Sequence, residues 1–149
     1  MNLAQDRHPI TEQEHEELPA RLRLAVVRTA RRLRQEAGGE LGPATSAALA
    51  TIERQGPLSP SELAEREGFK RPTATRILVK LEKAGLVTRI RDPEDGRASI
   101  LSATPEGRAL LRRIRARKTA YLAKQLQDLE PDDLHALERS VELLEGMLE

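Results

Sequence analysis

Apolar residues recur every three or four positions along most of this chain, which is the spacing of helices that bury one side. This pattern predicts a first helix over residues 18–35 and, after a glycine-rich break, an alanine-rich helix over residues 44–55. A long helix is predicted to begin at Pro105 and to end near Asp128, and "EPDDL" starts a last helix that continues to the end of the chain. The fold class expected from these segments is mostly α.

Two short helices are predicted in the middle of the chain, where several helix-start signals agree. Ser59 suits the N-cap position, Glu62 closes a capping box with it, and Pro60 suits the first helical position. This helix has only about two turns, because Gly68 ends it and a new helix opens at Pro72. The new helix places its apolar residues on one face, and these are Ala74, Ile77, Leu78 and Leu81.

A β-hairpin is predicted directly after these helices. The segments "LVTRI" and "SILSA" are short and rich in β-forming residues, and Asp, Pro and Gly between them indicate a loop of about four to six residues. At about 3.3 Å per residue, each strand is an arm of roughly 17 Å. The order from residue 44 to residue 103 is then helix, short helix, turn, helix and hairpin, which is the arrangement of a winged helix-turn-helix domain.

Charge is unevenly distributed along the chain, although the net charge is only +1. Residues 70–97 carry eight bases against four acids, whereas residues 1–20 and 128–149 carry five and eight acids, each against one arginine. A basic segment between acidic ends indicates that the middle of the chain binds a polyanion such as nucleic acid. Unpaired RNA is disfavoured, since aromatic residues that would stack on its bases make up only 1% of the chain.

Composition excludes several other classes of function. The absence of cysteine excludes disulfides, thiolate metal sites and thiol redox chemistry. We find no leader sequence and no apolar run near the roughly 18 residues that span a membrane, so we expect a cytoplasmic protein without membrane contact. No nucleophile, base and orienting group occur together, and "GGELG" lacks the strand and lysine of a phosphate-binding loop. We therefore expect neither catalysis nor a cofactor.

The segment "KRPTATR" has the composition that a helix in the DNA major groove requires, because base edges offer hydrogen-bonding groups and phosphates flank them. The hairpin is long enough to reach the adjacent minor groove, where Arg97 is the predicted contact and Asp95 is predicted to orient its guanidinium. Further candidates for phosphate contacts are Ser59, Ser61 and Arg91. The residues predicted to contact DNA from the helix are Lys70, Arg71, Thr73, Thr75, Arg76 and Lys80, with the two lysines placed for phosphate.

Residues 58–111 closely resemble the core of a MarR-type transcriptional regulator, and the most specific part is "DPEDGR" followed by "TPEG". The resemblance implies a homodimer that binds a pseudo-palindromic operator, usually as a repressor. It also implies release by a small ligand, which we expect to be apolar or weakly acidic and to bind near the first and fifth helices.

Two positions depart from the family pattern. Many relatives have serine where Lys70 stands, and some have two arginines at the wing tip, where Gly96 leaves Arg97 alone.

Three segments are expected on this basis. Residues 1–40 form an N-terminal dimerisation segment with the first helix, residues 41–103 form the winged helix-turn-helix DNA-binding domain, and residues 104–149 form the C-terminal helices of the dimerisation domain. The apolar stripes at 18–33 and 134–148 exceed what one small core needs, so we expect them to form a homodimer interface. The alternative is a homodimeric helical protein–protein interaction module without DNA specificity.

Other charged residues have more than one interpretation. The histidines His8, His15 and His135 could meet across a dimer in a metal site with Glu14 or Glu16, but no metal is expected, since they belong to no spaced metal motif. Arginines on the first helix are expected to be solvated surface. Six bases on the long helix would contact either phosphate or acids of the partner chain, and these are Arg108, Arg112, Arg113, Arg115, Arg117 and Lys118.

Overall fold

The computed structural model describes residues 9–149, so His8 lies outside the described residues. It confirms a mostly helical fold that carries a two-stranded hairpin. No helix within this range is both long enough and apolar enough to cross a membrane. The elements in chain order are α1 (Glu12–Glu36), α2 (Pro43–Gln55), α3 (Pro60–Glu67), α4 (Arg71–Lys83), β1 (Val87–Arg91), β2 (Ser99–Ala103), α5 (Pro105–Leu126) and α6 (Pro131–Gly146).

The hydrophobic core lies between α2, α3, α4, the hairpin and the first half of α5. The face predicted to be apolar on α4 is buried in it, as are the small residues that let α2 approach its neighbours closely. Only aliphatic side chains are fully buried here, which is how a chain with two aromatic residues forms its core. The largest fully buried side chains are Leu49, Ile52, Leu58, Leu63, Leu78, Leu81 and Leu101.

A tight turn joins α3 to α4. The Ser59 hydroxyl accepts a hydrogen bond from the backbone N–H of Glu62, and the Glu62 carboxylate accepts one from the backbone N–H of Ser59 at 2.7 Å, so the predicted capping box is present. At the other end, Gly68 has a φ of 65°, in the left-handed region that glycine adopts without strain. The capping box thus fixes the start of α3, and Gly68 ends α3 and turns the chain directly into α4.

The hairpin is antiparallel, with Val87 opposite Ala103 at its base. Leu58 exchanges two backbone hydrogen bonds with Leu101, at 3.2 and 2.8 Å, and this ties the base to the segment before α3. The connecting loop covers residues 92–98 and is longer than predicted. Its extra length comes from two successive turns, in which the Asp92 and Asp95 carboxylates accept hydrogen bonds from backbone N–H groups two residues later.

The hairpin is closely packed against the start of α5. The Thr104 hydroxyl donates to the Gly85 carbonyl oxygen at 2.6 Å and accepts from the backbone N–H of Gly107 at 3.0 Å, which caps α5 as predicted. A Cβ atom at Gly107 would collide with the Leu86 carbonyl oxygen. The "TPEG" segment therefore needs its glycine for this close backbone approach.

The terminal helices α1 and α6 differ from the rest of the molecule. Neither helix, each wholly within the described part of the chain, contains a buried residue. The prediction that α1 begins at residue 18 is wrong, because Thr11 and Glu14 form a second capping box that starts the helix at Glu12. On α6, Leu137 and Val141 are 42% and 46% exposed. Both helices thus present apolar side chains that no part of the described subunit covers.

Candidate nucleic-acid interface

The side of α4 opposite its buried face is polar, basic and open to solvent. Thr73 is half-buried, whereas the other residues predicted to contact DNA from this helix are exposed. Their position follows from the helical period, which puts them off the face that Ile77 and Leu81 bury in the core. The exposed residues are Lys70, Arg71, Thr75, Arg76 and Lys80.

The N-terminus of α4 is uncapped by any side chain of the described residues. The helix begins at Arg71, one residue earlier than predicted, and Lys70 occupies the N-cap position. Backbone N–H groups of the first turn therefore remain without a side-chain acceptor, and they carry the positive end of the helix dipole. Together with the two cationic side chains, they favour an anionic group such as a DNA phosphate at this end of α4.

A second basic surface lies on the wing. Arg89, Arg91 and Arg97 line an open hollow of about 530 Å³ at the hairpin. Arg91 and Arg97 are exposed, and neither takes part in an ion pair among residues 9–149. Their guanidinium groups are thus available to an anionic ligand at the tip of the wing.

Asp95 contacts Arg97 differently from the prediction. Its carboxylate accepts a hydrogen bond from the backbone N–H of Arg97 at 3.1 Å, and the structure shows no contact between the carboxylate and the guanidinium among the described residues. A short acidic side chain in a turn bonds the nearby backbone more readily than a distant side-chain end. Asp95 therefore shapes the loop from which Arg97 projects.

The predicted phosphate contacts on α3 separate into two kinds. Ser59 is half-buried and its oxygen caps α3, so that residue already has a structural role. Ser61 is exposed and lines a hollow of about 200 Å³ together with Arg71 and Thr75 of α4. The fold thus brings Ser61 beside the exposed residues of α4.

Arg89 has partners that sequence reasoning missed. Its Nε donates to Glu82 Oε1 at 2.8 Å and its Nη2 donates to Glu82 Oε2 at 3.4 Å. Its Nη1 donates to Ser99 Oγ at 3.5 Å. Nothing in the spacing of Glu82 and Arg89 identifies this pair, because the end of α4 and the turn into β1 lie between them.

Three bases of α5 pair with acids of their own chain, which neither of the predicted alternatives included. Arg113 and Arg117 both contact the Glu40 carboxylate, at 3.5 and 3.1 Å. Arg115 Nη2 lies 3.0 Å from Glu53 Oε2, and this hydrogen bond lowers the pKa of the Glu53 carboxyl. These contacts join α5 to α2 and to the connection between α1 and α2.

A cavity of about 680 Å³ lies between the end of α1, the start of α2 and the middle of α5. Leu33, Leu41 and Ile114 contribute to its apolar lining, and Arg34 and Lys118 contribute cationic groups. Its volume lies within the range of sites that bind small molecules. The lining suits an organic molecule with an apolar body and a negative charge.

The histidines form no common site within one described chain. His15 and His135 are both exposed. Within residues 9–149, no three histidine, aspartate or glutamate side chains are placed together so that they could hold a metal ion.

A helix that buries one side and exposes a basic one, directly beside a hairpin with arginine at its tip, is the means by which winged helix-turn-helix proteins meet DNA. Fold and site therefore define a DNA-binding protein of this class. A sequence model of the MarR family matches residues 43–99, from α2 to the first residue of β2.

Known proteins agree with this match. The HTH-type transcriptional regulator ML2140 of Mycobacterium leprae is 31% identical over 128 residues, which cover 85% of this chain and 90% of the relative. The crystal structure of a transcriptional regulator from Pseudomonas aeruginosa superimposes with a TM-score of 0.81 and 30% identity, covering 93% of this chain and 98% of that chain. The chain belongs to the MarR family of transcriptional regulators, which bind DNA and are not enzymes.

A more distant structure shares the fold. A Staphylococcus aureus MepR variant bound to an oligodeoxyribonucleotide superimposes with a TM-score of 0.69 at 16% identity. The match covers 89% of this chain and 98% of that chain. At this identity the comparison concerns the arrangement of helices and wing.

Proposed function

We propose that this chain acts in the cytoplasm as a homodimer that binds a pseudo-palindromic double-stranded DNA operator and represses transcription there. In each subunit α4 enters the major groove and the wing enters the neighbouring minor groove. One observation carries the proposal: the polar side of α4 and the arginine-lined hollow of the wing are both open to solvent, and Arg89 lines the hollows at both surfaces. A dimer bound in both grooves would exclude other proteins from the same DNA.

Residue roles follow from side-chain chemistry. Arg71, Thr73, Thr75 and Arg76 meet base edges or groups close to them, because short polar and forked basic side chains match the donors and acceptors of the major groove. Arg97 enters the minor groove, where negative potential is concentrated, while Asp95 holds the turn behind it. The remaining contacts are to phosphate and involve Lys70, Lys80, Ser61 and Arg91, with Ser59 contributing through its hydroxyl proton.

Dimerisation belongs to the terminal helices, so that residues 1–40 and 104–149 form the interface and residues 41–103 bind DNA. The support is the uncovered apolar surface of α1 and α6. The charge distribution also supports it, because residues 21–34 of α1 carry six arginines and no acid, whereas α6 carries five acids and one arginine. A two-fold axis would place the two recognition helices about 34 Å apart, which matches half-sites separated by one turn of DNA.

A small apolar or weakly acidic effector releases the dimer from DNA by binding in the cavity between α1, α2 and α5. The support is the cavity lining, in which aliphatic side chains surround space that Arg34 and Lys118 also reach. The cavity touches both the proposed dimerisation helices and the first helix of the DNA-binding segment. An occupant there is placed to change the angle between them.

The DNA proposal is tested with a duplex that the wild-type dimer selects from genomic fragments. Fluorescence anisotropy would compare wild type with Arg76→Ala and Arg97→Ala, and Arg54→Ala removes the same charge from an exposed position on α2, outside both the proposed DNA contacts and the proposed dimer interface. We expect Arg76→Ala to weaken binding by about tenfold to 100-fold and to relax base preference at one position. Because a dimer loses two such contacts, one from each subunit, Arg97→Ala should reduce the magnitude of the slope of log affinity against log salt by about 2.

The wild-type salt response provides a separate criterion. With about 6 to 10 phosphate contacts per dimer, the slope should lie between about −5 and −9. A flat salt response, or unchanged affinity in both variants while the dimer remains intact, would contradict DNA binding through this surface. That result would favour the protein–protein interaction module.

The effector proposal is tested with benzoate and its neutral analogue benzamide. We expect benzoate to raise the melting temperature and to weaken duplex binding, since the two cations favour the carboxylate. The double variant Arg34→Gln, Lys118→Gln should remove the preference for benzoate over benzamide. If a panel of aromatic acids gives neither a thermal shift nor a loss of DNA binding, an effector of this kind is excluded.

A further inference from the structure

We infer that Arg89 is a positioning residue that sets the angle between the wing and α4 through Glu82 and Ser99. The inference rests on the proposed function, because the angle matters only if both elements meet DNA at once. Arg97 can reach the minor groove only when the wing has a fixed position relative to the helix in the major groove. We call the contact among Glu82, Arg89 and Ser99 the wing strut.

The first support is the face of β1 on which Arg89 lies. Side chains alternate along a strand, so Arg89 shares a face with Val87, which is buried. Its cross-strand neighbour is Leu101, which is fully buried. Towards the base of the hairpin, Val87, Leu101 and Ala103 on this face are buried, whereas Arg91 and Ser99 on the same face lie towards the tip. Arg89 therefore lies where the buried part of this face ends, beside the last turn of α4, and Glu82 there is its partner of opposite charge.

The second support is the geometry of the contact. Two nitrogens of the Arg89 guanidinium meet the two oxygens of Glu82, at 2.8 and 3.4 Å, and the third nitrogen meets Ser99 Oγ at 3.5 Å. Glu82 belongs to α4, Arg89 to β1 and Ser99 to β2, so one planar group joins the recognition helix to both strands of the wing. A planar fork fixes orientation as well as distance.

The third support is the small stabilisation such a pair provides. The Arg89 and Glu82 side chains are 38% and 28% exposed, and ion pairs as exposed as this add little to folding stability. The hairpin is already held by its backbone ladder and by the core beneath Val87 and Leu101. The strut is therefore suited to adjusting the wing and is not needed to fold it.

The fourth support is the place of Arg89 between the two proposed DNA-contacting surfaces. It lines the hollow beside Arg71 and Thr75 on α4, and it also lines the hollow that contains Arg91 and Arg97 on the wing. A competing role follows from the same place, since Arg89 could leave Glu82 and bind a phosphate directly. The two roles predict opposite effects when Glu82 loses its charge.

The first test measures duplex affinity of Glu82→Gln, using a duplex that the wild-type protein selects from a random-sequence pool. Removal of an acid near DNA normally strengthens binding, and Glu94→Gln measures this general effect, because Glu94 lies in the wing loop outside the ion pairs found among residues 9–149. If Arg89 positions the wing, Glu82→Gln weakens binding by about threefold to tenfold relative to Glu94→Gln. If Glu82 only restrains a phosphate-binding arginine, Glu82→Gln binds more tightly than Glu94→Gln, and the inference is wrong.

The second test is a double-mutant cycle between the strut and the wing tip. Arg89→Lys keeps the positive charge but loses the fork, so the salt slope should stay as in wild type while affinity falls. In the Arg89→Lys and Glu82→Gln backgrounds, Arg97→Ala should cost less affinity than it does in the wild-type background, because a wing that is no longer held at its angle makes less use of its tip. An unchanged cost of Arg97→Ala in both backgrounds would overturn the inference. Circular dichroism and gel filtration verify that each variant is folded and dimeric.

If the proposed function is wrong, the binding measurements will differ from those expected when only the strut is wrong. If the wild-type protein selects no duplex, or if Arg97→Ala and Arg76→Ala bind as wild type does, the DNA interface itself is wrong and the inference falls with it. If those variants lose affinity while the strut variants behave like Glu94→Gln, the interface stands and only the strut is refuted.

Discussion

The middle of this protein and its two ends differ in how far they bury their apolar side chains within one subunit. Residues 43–114 bury a continuous set of aliphatic side chains within one subunit, from Leu49 on α2 to Ile114 on α5. None of the side chains of α1 or α6, which the structure describes in full, reaches that degree of burial, although both helices carry apolar stripes. The difference indicates that the middle is stable as a single chain, whereas the ends need a second copy to cover them.

The largest expected effect comes from breaking the interface proposed at α6. Introducing charge into its stripe with Leu137→Glu and Val141→Glu should separate the dimer, since two buried carboxylates without partners cannot be accommodated there. A monomer holds one half-site at a time, so operator affinity should fall by about 10²–10⁴-fold. Analytical ultracentrifugation and anisotropy measure the two effects.

The matched control for this variant places the same charges off the stripe. Ala136→Glu with Leu143→Glu adds two carboxylates to another face of α6, and both positions are exposed. This control should remain dimeric and bind DNA. If both double variants remain dimeric, α6 does not form the interface.

A core substitution should show the opposite dependence on protein concentration. Leu81→Ala removes a fully buried side chain from the middle region and should lower the free energy of unfolding by about 2–5 kcal/mol. That loss should be the same at every protein concentration, whereas the effect of Leu137→Ala should depend on concentration, because it acts through association. Denaturant unfolding at several protein concentrations compares the stability losses of Leu81→Ala and Leu137→Ala. Equal concentration dependence of the two would remove the distinction between the regions.

A smaller effect is expected at the N-terminus of α4. Lys70→Ser supplies the side-chain acceptor that this helix lacks and should stabilise the middle region by about 1 kcal/mol. The same change removes one proposed phosphate contact from each subunit of the dimer, so duplex affinity should fall and the magnitude of the salt slope should decrease by about 2. Thermal melts and anisotropy on one protein preparation measure both. A variant that gains stability and keeps its full affinity would show that Lys70 does not contact DNA.

The smallest effect distinguishes two identical capping boxes, one in each region. Backbone N–H groups of Thr11 and Ser59 donate to Glu14 and Glu62 respectively, and these hydrogen bonds lower the pKa of both carboxyls. A lowered folded-state pKa means that the stabilisation is present above the ordinary glutamate pKa and is lost as pH falls through the lowered value. Ser59→Ala keeps the backbone N–H that donates to Glu62 but loses the hydroxyl, which caps the helix and also lowers the Glu62 pKa. It should therefore reduce stability at neutral pH, and only part of the difference from wild type should disappear on acidification.

Thr11→Ala should behave differently, although it breaks the same kind of contact. The first turn of α1 packs against no core, so its loss should appear as local fraying and leave the global unfolding midpoint unchanged. Hydrogen exchange of the first turn of α1 measures local fraying, and the unfolding midpoint measures global stability. A shift of the midpoint as large as that of Ser59→Ala would place α1 in the same cooperative unit as the middle.

Local signals explain why so much of the middle region could be predicted. The capping box at Ser59, the left-handed Gly68 and the alternation of "LVTRI" each act over a few residues, and the structure places elements where they indicated. The differences between prediction and structure are also local. The capping box of Thr11 and Glu14 starts α1 ahead of its apolar stripe, and the wing loop is longer because Asp92 and Asp95 each form a turn with the backbone.

Helical period and capping depend on residues close together in the chain, so the sequence alone predicts the order of elements, the buried face of α4 and the basic character of its exposed side. Other features follow only from the packing of distant elements: Glu82 meets Arg89, Glu40 meets Arg113 and Arg117, and a cavity opens beside Lys118. Those contacts depend on how far apart packed elements lie and how they are rotated. No spacing along a single chain encodes that information directly.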